Sequence, residues 1–216
     1  MDKGSSMIGY FSVNVSAHNI RLMISSRWVS RLLLVAALLC LGKSYWISGK
    51  AVVAQLLIAH AWNQTLKTGE NTKPWSWADT WPVARLIAPD GEKFYVLDSL
   101  SGQALAFGPG WLNQSAVPGQ KGNSIIAAHR DTHFQFMETV QSGDIIQLQN
   151  PSGKTYYYRV SSMEVVDSDH QKLDIQHHTA ELTLITCYPF HALNPGGSLR
   201  YQVRATLLEN DLVTTD

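Results

Sequence analysis

From Val83 onward the chain is cut into short β-prone runs, and none of them is long enough to bury a face alone. The runs are 83–88 (VARLIA), 93–98 (KFYVLD), 124–128 (SIIAA), 144–149 (DIIQLQ), 155–166 (TYYYRVSSMEVV), 182–187 (LTLITC) and 199–208 (LRYQVRATLL). Turn signals separate them: PDGE at 89–92, SGDI at 142–145 and NPSGK at 150–154. Only short helices fit between, over 101–106 and 133–140. Many short strands with few helices predict an all-β fold, a small closed β-barrel with short helices. Closure also removes the open edges that template aggregation.

The N-terminal part follows a different pattern. LLLVAALLCLG at 32–42 is uninterrupted but short for a membrane span of about 20 residues. A helix from Trp28 to Ile47 reaches that length and places Trp28 at one end and Tyr45 and Trp46 at the other, as interfacial belts prefer. Arg21, Arg27 and Arg31 precede the run, so the expectation is an N-terminal membrane-anchor helix at 28–48. The disordered N-terminus, 1–27, then lies in the cytoplasm, and the distal domain lies outside it, on the periplasmic side of the inner membrane. A cleaved signal peptide is the rival, but no clear A-x-A site follows the run. Val52, Leu56, Leu57, Ile58, Ala61 and Trp62 have the spacing of an amphipathic helix over 51–67. TGENTKPWSWADTWP, 68–82, reads as a turn-rich linker whose tryptophans cover an edge of the domain. The expected organisation is completed by a segment at 49–82 and a barrel domain at 83–216.

Lys plus Arg and Asp plus Glu each total 17, which gives no support for nucleic-acid binding. The two cysteines are Cys40 and Cys187. With Cys40 in the apolar run, the two cannot meet, and Cys187 is a free thiol that needs an explanation. It stands in TLITCYPF, at the end of a strand and two residues before Pro189. A buried small hydrophobe is the plain reading of an unpaired cysteine, and a nucleophile is the alternative.

His129 follows the strand run SIIAA, at the kind of strand-to-loop end where functional residues gather. His191 and Arg200 follow Cys187. A nearby cation lowers a thiol's pKa, an imidazole can protonate a leaving amine, and a guanidinium can hold a developing oxyanion. Cysteine, histidine and arginine on three strand ends make an acyl-transfer site. His191 is the rival base on sequence distance. His129 and His133, four apart, have a metal-binding spacing only on a helix, and His129 falls at a strand end. No metal and no cofactor are therefore expected. His177 and His178 are consecutive and point apart on any regular structure.

T-L-x-T-C with an arginine 13 residues on (200 − 187 = 13) and a histidine on an earlier strand resembles the sortases. KAVVAQLLIAHAW, PWSWADTWPVARL, ALAFGPG, AHRDTHF, TCYPF and LRYQVRA, in that order, resemble the proteobacterial-type sortases over residues 50 to 208. The resemblance implies an extracytoplasmic, membrane-anchored cysteine transpeptidase on an eight-stranded barrel. It implies Cys187 as nucleophile, His129 as general acid/base and Arg200 as oxyanion-holding or substrate-orienting residue. It also implies two partners, a secreted protein with a C-terminal sorting signal and an amine acceptor. The loop at 167–181 takes the place of the family's substrate-lining loop. Thr186 and Ala128 are expected beside the substrate, and Ala128 departs from the glycine expected before the histidine. The alternatives are a non-catalytic anchored barrel that binds a peptide, with Cys187 buried, and a purely hydrolytic cysteine peptidase.

Overall fold

The computed structural model describes residues 17–171, 175, 179–192 and 196–208. Residues 1–16 of the expected disordered N-terminus, and His177 and His178 of the 167–181 loop, lie outside the described residues. The chain divides into two compact units, one ending at Lys50 and one beginning at Ala51.

A single helix, α1, runs Ala17–Thr68, beginning inside the segment read as disordered. The membrane anchor expected at 28–48 is not found: among the described residues, no helix is long and apolar enough to cross a membrane. The physical reason lies in the flanks. The unbroken apolar run has only eleven residues, and Arg31 and Lys43 close it at both ends. From Ala51 onward α1 presents a stripe of Ala54, Ile58, Ala61, Trp62 and Thr65, all buried. Their spacing is that of one helical face. Val52 and Leu56, expected on this face, are instead 61% and 66% exposed. Ile58 packs with Leu97 and Ala104, flanked by Trp75, Tyr95 and Phe107. Burying Ile58 contributes about 1.5–3 kcal/mol relative to leaving it in water. Of the linker tryptophans expected to cover the domain, Trp75 packs on it, whereas Trp77 is 81% exposed.

Eight strands close into a barrel: β1 (Pro82–Ile87), β2 (Lys93–Leu97), β3 (Gly110–Trp111), β4 (Gly122–Ala127), β5 (Ile145–Gln149), β6 (Thr155–Asp167), β7 (Ala180–Cys187) and β8 (Leu199–Leu207). Their order around the barrel is β1-β2-β3-β4-β7-β8-β6-β5. The closed, helix-poor barrel expected from the sequence is the fold observed. Strand β3 has no counterpart among the expected runs, because two residues carry no alternation to read. The expected helix at 101–106 is a single turn, α2 (Gly102–Leu105), started by the Ser101 hydroxyl accepting from Ala104 N at 3.1 Å. The one expected at 133–140 is a 3-10 turn, Gln135–Glu138.

Burial alternates along β1 and β5, as on a sheet with one face in the core. Strand β4 is buried along nearly its whole length and β7 from Leu182 to Thr186, and the two pair in parallel, from Gly122↔Ala180 to Ala127↔Ile185. Apolar residues alone would let this pair slip in register. The buried Thr183 hydroxyl prevents it by donating to Asn123 Oδ1 at 2.8 Å. Gly119 closes the approach to β4 with a φ of +85°, and a Cβ there would sit 2.2 Å from the Tyr156 ring. Its N–H donates to the hydroxyl of fully buried Tyr158 at 2.7 Å.

Candidate active site

Cys187 is the last residue of β7 and is partly exposed. On the antiparallel β7–β8 ladder its partner is Arg200. Directly opposed residues project from the same face, so the thiol and the guanidinium stem are neighbours. His129 lies two residues past the end of β4. Continued beyond Ala127↔Ile185, the parallel register sets His129 level with Cys187. Two hydrogen bonds carry the pairing on to that level. Ala128 N donates to the Ile185 carbonyl at 3.2 Å, and the Thr186 hydroxyl donates to the Ala128 carbonyl at 2.8 Å. Three adjacent strands, β4, β7 and β8, therefore bring His129, Cys187 and Arg200 to one end of the barrel.

Thr186 and Ala128, expected beside the substrate, are both buried. Thr186 is 2% exposed and its hydroxyl is committed to the backbone; Ala128 belongs to the core cluster. Their hydrogen bond links the residue before the thiol to the residue before the imidazole. The Ala128 methyl packs inward, so the departure from glycine adds no bulk in front of His129.

The Arg200 Nη1 donates to the carbonyls of Gly197 at 2.8 Å and Leu199 at 2.9 Å. The loop before β8 thus aims the guanidinium. His191, the rival base, is held elsewhere: its Nε2 lies 2.9 Å from Glu138 Oε1, in the 3-10 turn. His133 meets the Phe94 ring edge-on at 6.1 Å between centroids. Burial, and then the charge of His129, lower its pKa below the ordinary histidine value, which favours a neutral imidazole beside His129. Among the described residues no group of three or more His, Cys, Asp or Glu converges on a point.

Two features were not read from the sequence. Arg130 is buried, 6% exposed, and ties the His129 loop to the loop after Cys187 through Ala192. Tyr188, Phe190 and Tyr201 form a mutual aromatic contact set, Tyr188 following Cys187 in the chain and Tyr201 pairing with Thr186 on the ladder, with Phe190 and Tyr201 edge-on at 5.3 Å. The aromatics of TCYPF and LRYQ carried that signal. For Arg130 the only sequence clue was its place after His129.

Fold and site define a small closed β-barrel with a thiol, an imidazole and a guanidinium at one rim. The comparisons make the class particular. The family model of the Sortase domain matches residues 87–208, and the chain belongs to the sortase family. It is 30% identical over 96 residues to Sortase D of Bacillus subtilis (strain 168), a match covering 44% of this chain and 48% of that protein. The chain therefore spans about half the length of this curated relative. Among solved structures it is similar to Sortase A from Corynebacterium diphtheriae, with TM-score 0.56 and 28% identity over 63% of this chain and 65% of the other. A Clostridium perfringens Sortase D5 transpeptidase shares the fold, with TM-score 0.54 and 23% identity, covering 68% and 88% of the two chains.

Proposed function

We propose that this protein is a cysteine transpeptidase that cleaves a C-terminal sorting signal of a secreted protein and passes the acyl group to an amine. The observation that carries this reading is the β4–β7–β8 register, which sets His129 level with Cys187 and pairs Cys187 with Arg200. The partial exposure of Cys187 supports a working thiol over the buried cysteine of a pure binding module.

In this reading the Cys187 thiolate attacks a peptide carbonyl, and the new S–C bond pushes the electron pair onto oxygen. Arg200, opposite Cys187 on the ladder, is the residue whose guanidinium holds that oxyanion. As the C–N bond breaks, the His129 imidazolium gives its proton to the leaving amine. A thioacyl enzyme and a neutral imidazole remain. The acceptor amine attacks the thioester, His129 takes its proton, and the thiolate leaves. Water in place of the amine gives hydrolysis.

The proteobacterial-type assignment rests on the sequence blocks from KAVVAQLLIAHAW to LRYQVRA. A secreted substrate implies work outside the cytoplasm, which protease accessibility of the barrel on intact spheroplasts tests. The activity test is product analysis on the purified chain, offered a library of sorting-signal peptides with and without an added amine. Amide products that depend on the amine and vanish in Cys187→Ala support transfer. Free acid alone, unchanged by amine, overturns transpeptidation in favour of a hydrolase. No product with any peptide, together with an inert thiol, overturns catalysis.

A further inference from the structure

Past Ala128 and Thr186 the β4–β7 ladder ends, yet the two proposed reactive groups lie beyond it. His129 opens one loop, and Cys187 is followed by another. Among the described residues, two polar side-chain contacts tie these loops together. Arg130 Nη2 donates to the Ala192 carbonyl at 3.1 Å, and Glu138 Oε1 meets His191 Nε2 at 2.9 Å. The second pair is largely exposed and solvent weakens it. The first is different. The Arg130 side chain is 7% exposed, its Nε lies 3.2 Å from Asp131 Oδ1, and it immediately follows His129. Its acceptor lies five residues after Cys187.

We propose that Arg130 is a positioning residue, clamping the loop that begins at His129 onto the loop that follows Cys187 so that imidazole and thiol keep their working separation. This rests on the reading of Cys187 and His129 given above. One feature argues against a role in stability alone. Arg130 Nη1 is buried with no hydrogen-bond partner. A buried donor stripped of water and left unpaired is a standing cost, so an apolar side chain of similar length would serve stability at least as well. What such a side chain cannot do is hold the Ala192 carbonyl from the residue next to His129. Lysine retains the charge but not the fork that reaches Asp131 and Ala192 together.

The titratable groups around the clamp are Asp131, His129, His133, His191 and Glu138; Arg130→Met removes the charge beside them and Arg130→Lys keeps it, so the two variants separate charge from geometry. The test is the pH dependence of iodoacetamide alkylation at Cys187 in the full chain. Peptide mapping by mass spectrometry separates Cys187 from Cys40. Wild type, His129→Ala, Arg130→Met and Arg130→Lys are compared, with thermal unfolding of each. The expected result is that Arg130→Met unfolds at the wild-type temperature or above, while its alkylation profile moves to that of His129→Ala. At neutral pH its rate should fall to that of His129→Ala. Arg130→Lys should fall between. A wild-type profile in folded Arg130→Met overturns the clamp while leaving the thiol–imidazole pair standing. If Arg130→Met does not fold, Arg130→Lys decides: an intermediate profile supports the clamp and a wild-type one overturns it. If wild type and His129→Ala react alike, the pair itself fails, and the clamp with it.

Discussion

The Thr186 hydroxyl donates to the Ala128 carbonyl at 2.8 Å, and each residue immediately precedes one of the proposed reactive side chains. The bond is buried, so its loss is not made good by water. Thr186→Val keeps the shape and removes the donor, leaving the carbonyl without that partner. Stability should fall by about 1–3 kcal/mol. Urea unfolding measures this, and an unchanged midpoint would show that the bond carries no weight.

Arg200 is aimed by the Gly197 and Leu199 carbonyls and pairs with Cys187 across the ladder. Arg200→Ala should lower kcat about 10²–10³-fold, the usual cost of one oxyanion donor. Arg200→Lys should recover only part of this, because an ammonium offers a point charge and no fork. Near-normal kcat in Arg200→Ala would remove Arg200 from the chemistry, and near-normal kcat in Arg200→Lys would show that the charge suffices without the fork.

Gly119 sits at φ +85° with the Tyr156 ring where a side chain would go. Gly119→Ala should destabilise by about 1–3 kcal/mol from backbone strain, with the ring clash added. A thermal melt matching wild type would mean that the turn can rearrange freely.

Burial pushes the Tyr158 phenol up to about 12 from a reference value of 10.0, even though the Gly119 N–H favours the anion. Between those values the unfolded chain has lost a proton that the folded one keeps. Stability should therefore be whole below pH 10 and decline as pH rises toward 12. Tyr158→Phe should flatten that decline, at the cost of the hydrogen bond to Gly119. Parallel alkaline slopes in the two proteins, read by urea unfolding across pH, would rule out Tyr158 as the source.

The barrel was legible because its signals are local. Strand alternation, the turns at 89–92 and 150–154, and the Ser101 cap each act within a few residues. Where the local signal was thin, reading stopped. Gly110–Trp111 is too short to show a period, and 133–140 has apolar residues that fit a 3-10 turn as well as a helix. On α1 the named apolar positions included Val52 and Leu56, which the barrel does not cover. Composition says that a helix has apolar residues, and only the partner surface decides which of them it buries.

Cys187, His129 and Arg200 could be singled out from the chain because each stands at a strand end in a distinctive motif. Sequence by itself determined seven of the eight strands, the turn chemistry and the three side-chain types able to carry acyl transfer. Tertiary structure alone decided that β4 and β7 lie in parallel, that Thr186 points into the core toward Ala128, and that His191 turns to Glu138. It also buried Arg130 between two loops 62 residues apart. These are pairings between distant segments, set by register and by the competition of buried polar groups for partners, and no local pattern encodes them.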